Sequence, residues 1–181
     1  MKKIVLTFGL ISGAIVAGMM AITVPLCMNG HIDFDKSEIV GYSSMVLAFL
    51  MVFFGIRSYR DNIGGGSISF GKAFQVGILI TLIASVVYVV TWEIVYFNFI
   101  PGFVDSYIAG TLQKMREHGA TDAAIAGKVK EMARFKELYA NPFFNVGMTF
   151  MEIFPVGLIV TLVSAGILRR RTAPPMTPAT A

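Results

Sequence analysis

The stretch AFQVGILITLIASVVYVVTWEIVYFNF, residues 73–99, decides the fold class of this chain. It contains one carboxylate, Glu93, and neither lysine nor arginine. A helix rises about 1.5 Å per residue, so a helix of this length spans the ~30 Å hydrocarbon core of a bilayer. We therefore predict a transmembrane helix over these residues.

Three further apolar blocks cover residues 4–28, 39–56 and 143–168. The chain of 181 residues is 55% hydrophobic and 14% charged, whereas soluble domains carry about 25% charged residues. The sequence therefore predicts an all-α polytopic membrane protein with four transmembrane helices, in a single domain that covers residues 1–171.

The first block also has the basic start of a signal peptide, at Lys2 and Lys3. Its apolar stretch exceeds the ~7–15 residues of a signal sequence, and no small-x-small cleavage site follows it. A retained helix is therefore favoured over a cleaved signal.

Residues 101–142, between the third and fourth blocks, are too polar to cross a membrane. Apolar residues recur at helical spacing on both sides of Gly119, and Thr121 with Asp122 is typical of a helix start. We predict an extracytoplasmic amphipathic helical hairpin that lies against the membrane face or the helix ends. Packing within the chain is favoured over binding of a partner.

The basic residues indicate the orientation. Cytoplasmic helix ends carry an excess of Lys and Arg, and one set of ends has this excess with only Asp61 opposing it: Lys2, Lys3, Arg57, Arg60, Lys72, Arg169, Arg170 and Arg171. The basic residues within 101–142 are balanced by acidic ones. We predict cytoplasmic N- and C-termini, with a disordered cytoplasmic tail at residues 172–181.

Two carboxylates at membrane depth are the candidate functional residues. Such groups are costly unless they face water, find a partner or are protonated. By helix length Glu93 and Glu152 both fall in the outer half, which predicts a polar pocket between the third and fourth helices formed by Glu93, Glu152, Asn98, Asn141 and Asn145. The alternatives are an interfacial Glu93 and a Glu152 that hydrogen-bonds within the bundle.

Small residues recur every four positions at Gly9, Gly13 and Ala17. This spacing is typical of a helix-packing face where another backbone approaches closely. The partner is a helix of the same chain or of a second copy, and packing within the chain is favoured.

Other kinds of site lack sequence support. The single cysteine and the isolated His31 and His118 predict no metal site. The run from Gly66 to Lys72 matches G-x-x-x-x-G-K, but Ala73 replaces the Ser or Thr of a P-loop, so we predict no nucleotide binding. Basic residues lie beside the apolar blocks and not in one soluble patch, so membrane orientation explains them better and we predict no nucleic-acid binding. We predict no cofactor and no catalytic residues.

Five segments together resemble the domain-of-unknown-function 4199 family of small bacterial membrane proteins. They are FGIRSYRDN at 54–62, GGGSISFGKAF at 64–74, WEIVYFNFIPGF at 92–103, ARFKELYANPFFN at 133–145 and FPVGLIVTLVSAGILRRR at 154–171. The resemblance implies a helical bundle in the bacterial inner membrane, and it implies no activity and no catalytic residues.

The leading functional hypothesis is a non-enzymatic inner-membrane protein that acts in the bilayer through helix packing, as a homo-oligomer or as a small partner of an envelope complex. The alternative is a proton- or cation-coupled transporter or channel subunit that uses the intramembrane carboxylates. A third, less favoured hypothesis is a membrane enzyme whose lipid-like substrate enters laterally near Glu152.

Overall fold

The computed structural model describes residues 1–32 and 34–170, which form α-helices joined by short turns. The predicted tail at 172–181 lies outside this part of the chain. The described residues form six helices: α1 (Lys2–Met28), α2 (Phe34–Asn62), α3 (Phe70–Asn98), α4 (Phe103–Glu117), α5 (Asp122–Tyr139) and α6 (Pro142–Leu168). Four of these, α1, α2, α3 and α6, are long and apolar enough to cross a membrane, so the predicted all-α class with four such helices is confirmed.

Helix α2 extends further than its apolar block, 39–56, at both ends. Polar residues continue the helix there, including Glu38 before the block and Arg57 and Arg60 after it. Hydropathy identifies the part of a helix that lies in the hydrocarbon core of the membrane, whereas the helical backbone hydrogen bonds continue into the membrane–water interface.

Helices α4 and α5 form the hairpin that the sequence predicts between the third and fourth spans. Gly119 ends the first arm with a φ of +73°, in the left-handed region that favours glycine. The Thr121 side chain caps α5 by accepting a hydrogen bond from the Ala124 amide at 3.3 Å. Lys136 and Asp105 pair across the two arms.

The four long helices run alternately up and down, so the bundle has two distinct ends. The hairpin end carries the α1–α2 turn and the α4–α5 hairpin. The basic end carries the start of α1, the 63–69 turn and Arg170. There, Ile68 and Arg170 exchange two backbone hydrogen bonds of 3.0 Å, which join the glycine-rich turn to the end of α6.

Helix α3 is central, because it packs against α1, α2 and α6 and buries the largest share of its residues. A Cβ atom on Gly9 would lie 2.8 Å from the Cβ of Ile83, and a Cβ atom on Gly13 would lie 2.7 Å from the Cβ of Val87. The backbone of α1 therefore packs directly against side chains of α3. The Thr81 and Thr161 hydroxyls lie 3.0 Å apart between α3 and α6.

The outer surface of the bundle is strongly apolar. Large exposed side chains include Ile22, Leu47 and Ile159, each about 60% exposed. A soluble monomer rarely exposes so continuous an apolar surface. This surface therefore suits contact with lipid chains, in agreement with the length and hydropathy of the four helices.

We expect Gly13→Ala to lower thermal stability and Gly18→Ala to leave it unchanged or raise it slightly. Both residues lie on α1, but the methyl group at Gly13 would overlap Val87, whereas nothing lies within 4 Å of the equivalent point at Gly18. Overpacking of this kind costs about 1–3 kcal/mol. Thermal unfolding in detergent, followed by circular dichroism, tests this, and equal melting temperatures for the two variants would contradict the packing described here.

Candidate functional site

A cavity of about 210 Å³ lies between the long helices at the hairpin end. We call it the inner cavity. Its walls come from the last turns of α1, the first turns of α2, the second half of α3 and Glu152 of α6, while α4 and α5 cover it. The lining residues are Val16, Met19, Met20, Thr23, Val24, Cys27, Ser37, Glu38, Gly41, Ser44, Met45, Tyr88, Trp92, Phe103, Tyr107, Tyr139 and Glu152.

The lining combines aromatic rings with two carboxylates. Five of its side chains are aromatic, namely Tyr88, Trp92, Phe103, Tyr107 and Tyr139, and the acidic groups are Glu38 and Glu152. Among the described residues that line it there is no Lys, Arg or His. Ring faces and carboxylates both attract positive charge, so the cavity is electrostatically suited to a cation.

Glu152 lies at the cavity wall on α6, one turn before Pro155. The Tyr88 hydroxyl of α3 is within hydrogen-bonding reach of its carboxylate, and Glu38 lies close enough for electrostatic interaction. A carboxylate at this depth requires a partner or a polar space. Glu152 has both, since the Tyr88 hydroxyl lies near its carboxylate and it borders the cavity.

Trp92 is held in place by a buried polar network. Its indole N–H is shared between the Tyr139 hydroxyl, at 3.0 Å, and the Asn145 side-chain oxygen, at 2.9 Å. Thr149 donates to the same Asn145 oxygen at 3.3 Å. The network therefore fixes one aromatic wall of the cavity by joining α3, α5 and α6.

Tyr139 belongs to the hairpin and contributes its hydroxyl oxygen to this network as a hydrogen-bond acceptor. Burial raises the pKa of the Tyr139 hydroxyl to about 12, although hydrogen bonds from Trp92 and Thr149 act in the opposite direction. The hydroxyl group is therefore protonated at neutral pH, and the cavity has no additional negative charge at this position.

The five residues of the predicted polar pocket do not all line the inner cavity. Glu152 lines the inner cavity, and Asn145 lies behind Trp92, completely buried. Glu93 is not among the lining residues, and its Oε1 atom is buried without a hydrogen-bond partner in the described residues. Asn98 is exposed and donates to the Ile94 carbonyl at 2.9 Å. Asn141 caps α6 by accepting from the Phe143 amide.

The small-residue face of α1 also has a definite place. Gly9 and Gly13 contact α3 of the same chain, and Ala17 is half-buried beyond them.

In the described residues, no three His, Cys, Asp or Glu side chains lie together as a metal site would require.

Sequence reasoning did not identify Glu38 or the aromatic walls as part of a site. In the sequence Glu38 precedes the apolar block 39–56, so it is predicted to lie outside the membrane. In the structure α2 begins earlier, at Phe34, and Glu38 is part of the helix. One signal was present: Tyr88, Trp92, Phe103, Tyr107 and Tyr139 all belong to segments that the predicted topology brings to one end of the bundle.

We expect Asn145→Ala to lower stability by about 1–3 kcal/mol, because it removes one acceptor of the buried Trp92 N–H and the partner of Thr149. Asn98→Ala is the matched control, since its side chain is exposed and bonds only its own helix. We expect that variant to remain within about 0.5 kcal/mol of the wild type. Detergent unfolding curves measure both, and equal effects would contradict the role given to the network.

Comparison with known proteins identifies a family for this chain but assigns no activity to it. The model of the family described as a protein of unknown function, DUF4199, matches residues 7–170. No curated protein matches the chain, and no solved structure matches it. Since the match covers nearly all of the sequence, this chain belongs to the DUF4199 family, as the five segments indicated.

Proposed function

We propose that this protein is a non-enzymatic membrane protein that binds a cationic organic ligand in the inner cavity. The single observation that carries the proposal is the lining of that cavity, in which five aromatic side chains and two carboxylates meet without a basic residue among those described. A largely apolar cavity with a few convergent polar groups is the usual form of a small-molecule site. A cation gains both from ring faces and from carboxylates in such a space.

The position of the polar groups supports binding over catalysis. The Ser44 hydroxyl donates to the Val40 carbonyl of its own helix at 2.6 Å, so it does not point a nucleophile at the cavity. The described lining contains no histidine that could activate a hydroxyl or thiol. Glu152 and Tyr88 then act as binding groups.

Transport of the bound cation is the second candidate function. The two carboxylates of the inner cavity favour it, but the half of the bundle nearer the basic end is tightly packed. Val52, Ile56 and Ile80 are completely buried there, as are Thr81 and Thr161. A transport cycle requires these contacts to separate, whereas binding requires no such change.

The proposed location is the bacterial inner membrane, with the basic end and both termini in the cytoplasm. The excess of Lys and Arg at the basic end supports this orientation. The inner cavity then lies in the outer half of the membrane. An oligomer or a complex with another membrane protein requires a surface other than Gly9 and Gly13, because these residues already contact α3.

We expect the purified protein to bind choline and to bind its uncharged analogue 3,3-dimethylbutan-1-ol much more weakly. The two molecules have the same shape and differ in charge. Trp92 is the only tryptophan of the sequence and lines the inner cavity, so its fluorescence reports binding directly.

Glu152→Gln should weaken choline binding by at least about tenfold, because it removes one partner of a desolvated charge. Glu93→Gln is the matched control, since Glu93 lies on the same helix as Trp92 but does not line the cavity. Equal affinity for the two compounds, or unchanged binding by Glu152→Gln, would refute the proposal.

The orientation is tested with single cysteines in a Cys27→Ala background. Glu117 and Asn62 are exposed at the hairpin end and the basic end, respectively. We expect a membrane-impermeant maleimide to label Glu117→Cys in intact cells and Asn62→Cys only after permeabilisation. The reverse pattern would place the hairpin in the cytoplasm.

A further inference from the structure

A second cavity adjoins the inner cavity and shares part of its wall. This lateral chamber, of about 460 Å³, is bordered by Glu38, Phe103, Tyr107, Tyr139 and Glu152, all of which also line the inner cavity. Glu152 therefore lies between the two spaces. A ligand whose charged group lies near Glu152 can extend into both.

The lateral chamber opens towards the lipid. Its remaining walls include Tyr42 of α2 and Met148 and Met151 of α6, which are 48%, 45% and 64% exposed, respectively. These residues lie on spans α2 and α6, beneath the hairpin. Their exposed side chains would meet lipid chains in a bilayer, so the gap between α2 and α6 connects the membrane interior with Glu152.

A third cavity offers the competing route from water. This hairpin chamber, of about 410 Å³, is lined by Glu38, Tyr107, Gly110, Thr111, Lys114, Met115 and His118. Lys114 and Glu38 both border this chamber, so its lining carries charges of both signs. The described lining of the lateral chamber contains no Lys, Arg or His.

We propose that the ligand is a cationic amphiphile, with an ammonium head group in the inner cavity and a hydrocarbon tail in the lateral chamber. This inference rests on the proposed function and specifies its ligand class. The aromatic rings and the two carboxylates hold the head group. Met148 and Met151, whose flexible side chains adapt to irregular apolar shapes, contact the tail. The amphiphile reaches the site from the bilayer, between α2 and α6.

The test compares choline with dodecyltrimethylammonium, which adds a tail to a similar head group. Both are titrated against Trp92 fluorescence in dodecyl maltoside micelles, with the amphiphile expressed as a mole fraction of the micelle. Met148→Phe narrows the lateral chamber, and Met115→Phe narrows the hairpin chamber as its matched control.

We expect Met148→Phe to weaken binding of dodecyltrimethylammonium about tenfold, the scale of an overpacked contact, and to leave choline binding unchanged. Met115→Phe should affect neither ligand. If Met115→Phe and not Met148→Phe weakens the amphiphile, or if the tailed compound fails to bind while choline binds, the inference is overturned and the proposed function stands. If neither compound binds the wild-type protein, both are overturned.

A second measurement does not depend on the folding of these variants. A trimethylammonium amphiphile with a diazirine at the end of its tail is photo-cross-linked to the wild-type protein, and the labelled residues are found by mass spectrometry. We expect Glu152-dependent labelling near residues 42, 148 and 151, lost in Glu152→Gln and retained in Glu93→Gln. Labelling confined to residues 110–118, or equal labelling in all three proteins, would contradict a tail in the lateral chamber.

Discussion

The close approach of α3 to its neighbours at glycine positions is the constraint on which this bundle depends. Gly9 and Gly13 of α1, Gly77 of α3 and Gly157 of α6 each lack room for a side chain, because atoms of a neighbouring helix lie within about 3 Å of the missing Cβ. All of them lie in the middle of the bundle or nearer its basic end. None of these close approaches lies near the hairpin end, where Gly18, Gly41 and Gly147 have nothing within 4 Å; Gly71 and Gly166, at the extreme basic end, are equally open. The close approaches join the helices tightly in the middle and in the basic half, whereas the inner cavity lies between the helices in the other half, which is therefore the separated half.

This asymmetry explains how the bundle accommodates Glu152. In the tightly packed half a carboxylate would lose its hydration without compensation. The bonded polar groups found there are small, as with Thr81 and Thr161, or Ser12 and the Ala48 carbonyl at 2.9 Å. In the separated half, Glu152 meets Tyr88 and an open space. Interhelical hydrogen bonds contribute only modestly within a membrane, so the cavity itself accounts for much of the tolerance of this charge.

The sequence was sufficient for the fold class because hydrophobic length, basic helix ends and the Gly119–Thr121 turn are local features that lipid and backbone geometry constrain directly. The site could be predicted only in part. Glu152 was identified from its depth alone, but which residues face it depends on the rotation of each helix about its axis. Glu93 follows Trp92 in sequence, and a single residue turns an α-helix by about 100°, so one faces the inner cavity and the other does not. Glu38 was not predicted as a site residue, because it precedes the apolar block from which α2 was predicted.

The size of the inner cavity bears on what the two carboxylates bind. A proton relay needs donors, acceptors and at most a few waters, and one water requires roughly 10–15 Å³ on the same measure of volume. The inner cavity provides about 210 Å³ and surrounds it with rings and methionines, which are poor partners for water. An inorganic cation would in turn need several oxygen ligands at short range. Besides the two carboxylates, the described lining supplies hydroxyl groups, of which that of Ser44 already bonds the Val40 carbonyl, and aromatic walls. A head group with its own apolar surface satisfies both parts of this lining, because its methyl or methylene groups contact the rings while its charge is balanced by Glu38 and Glu152.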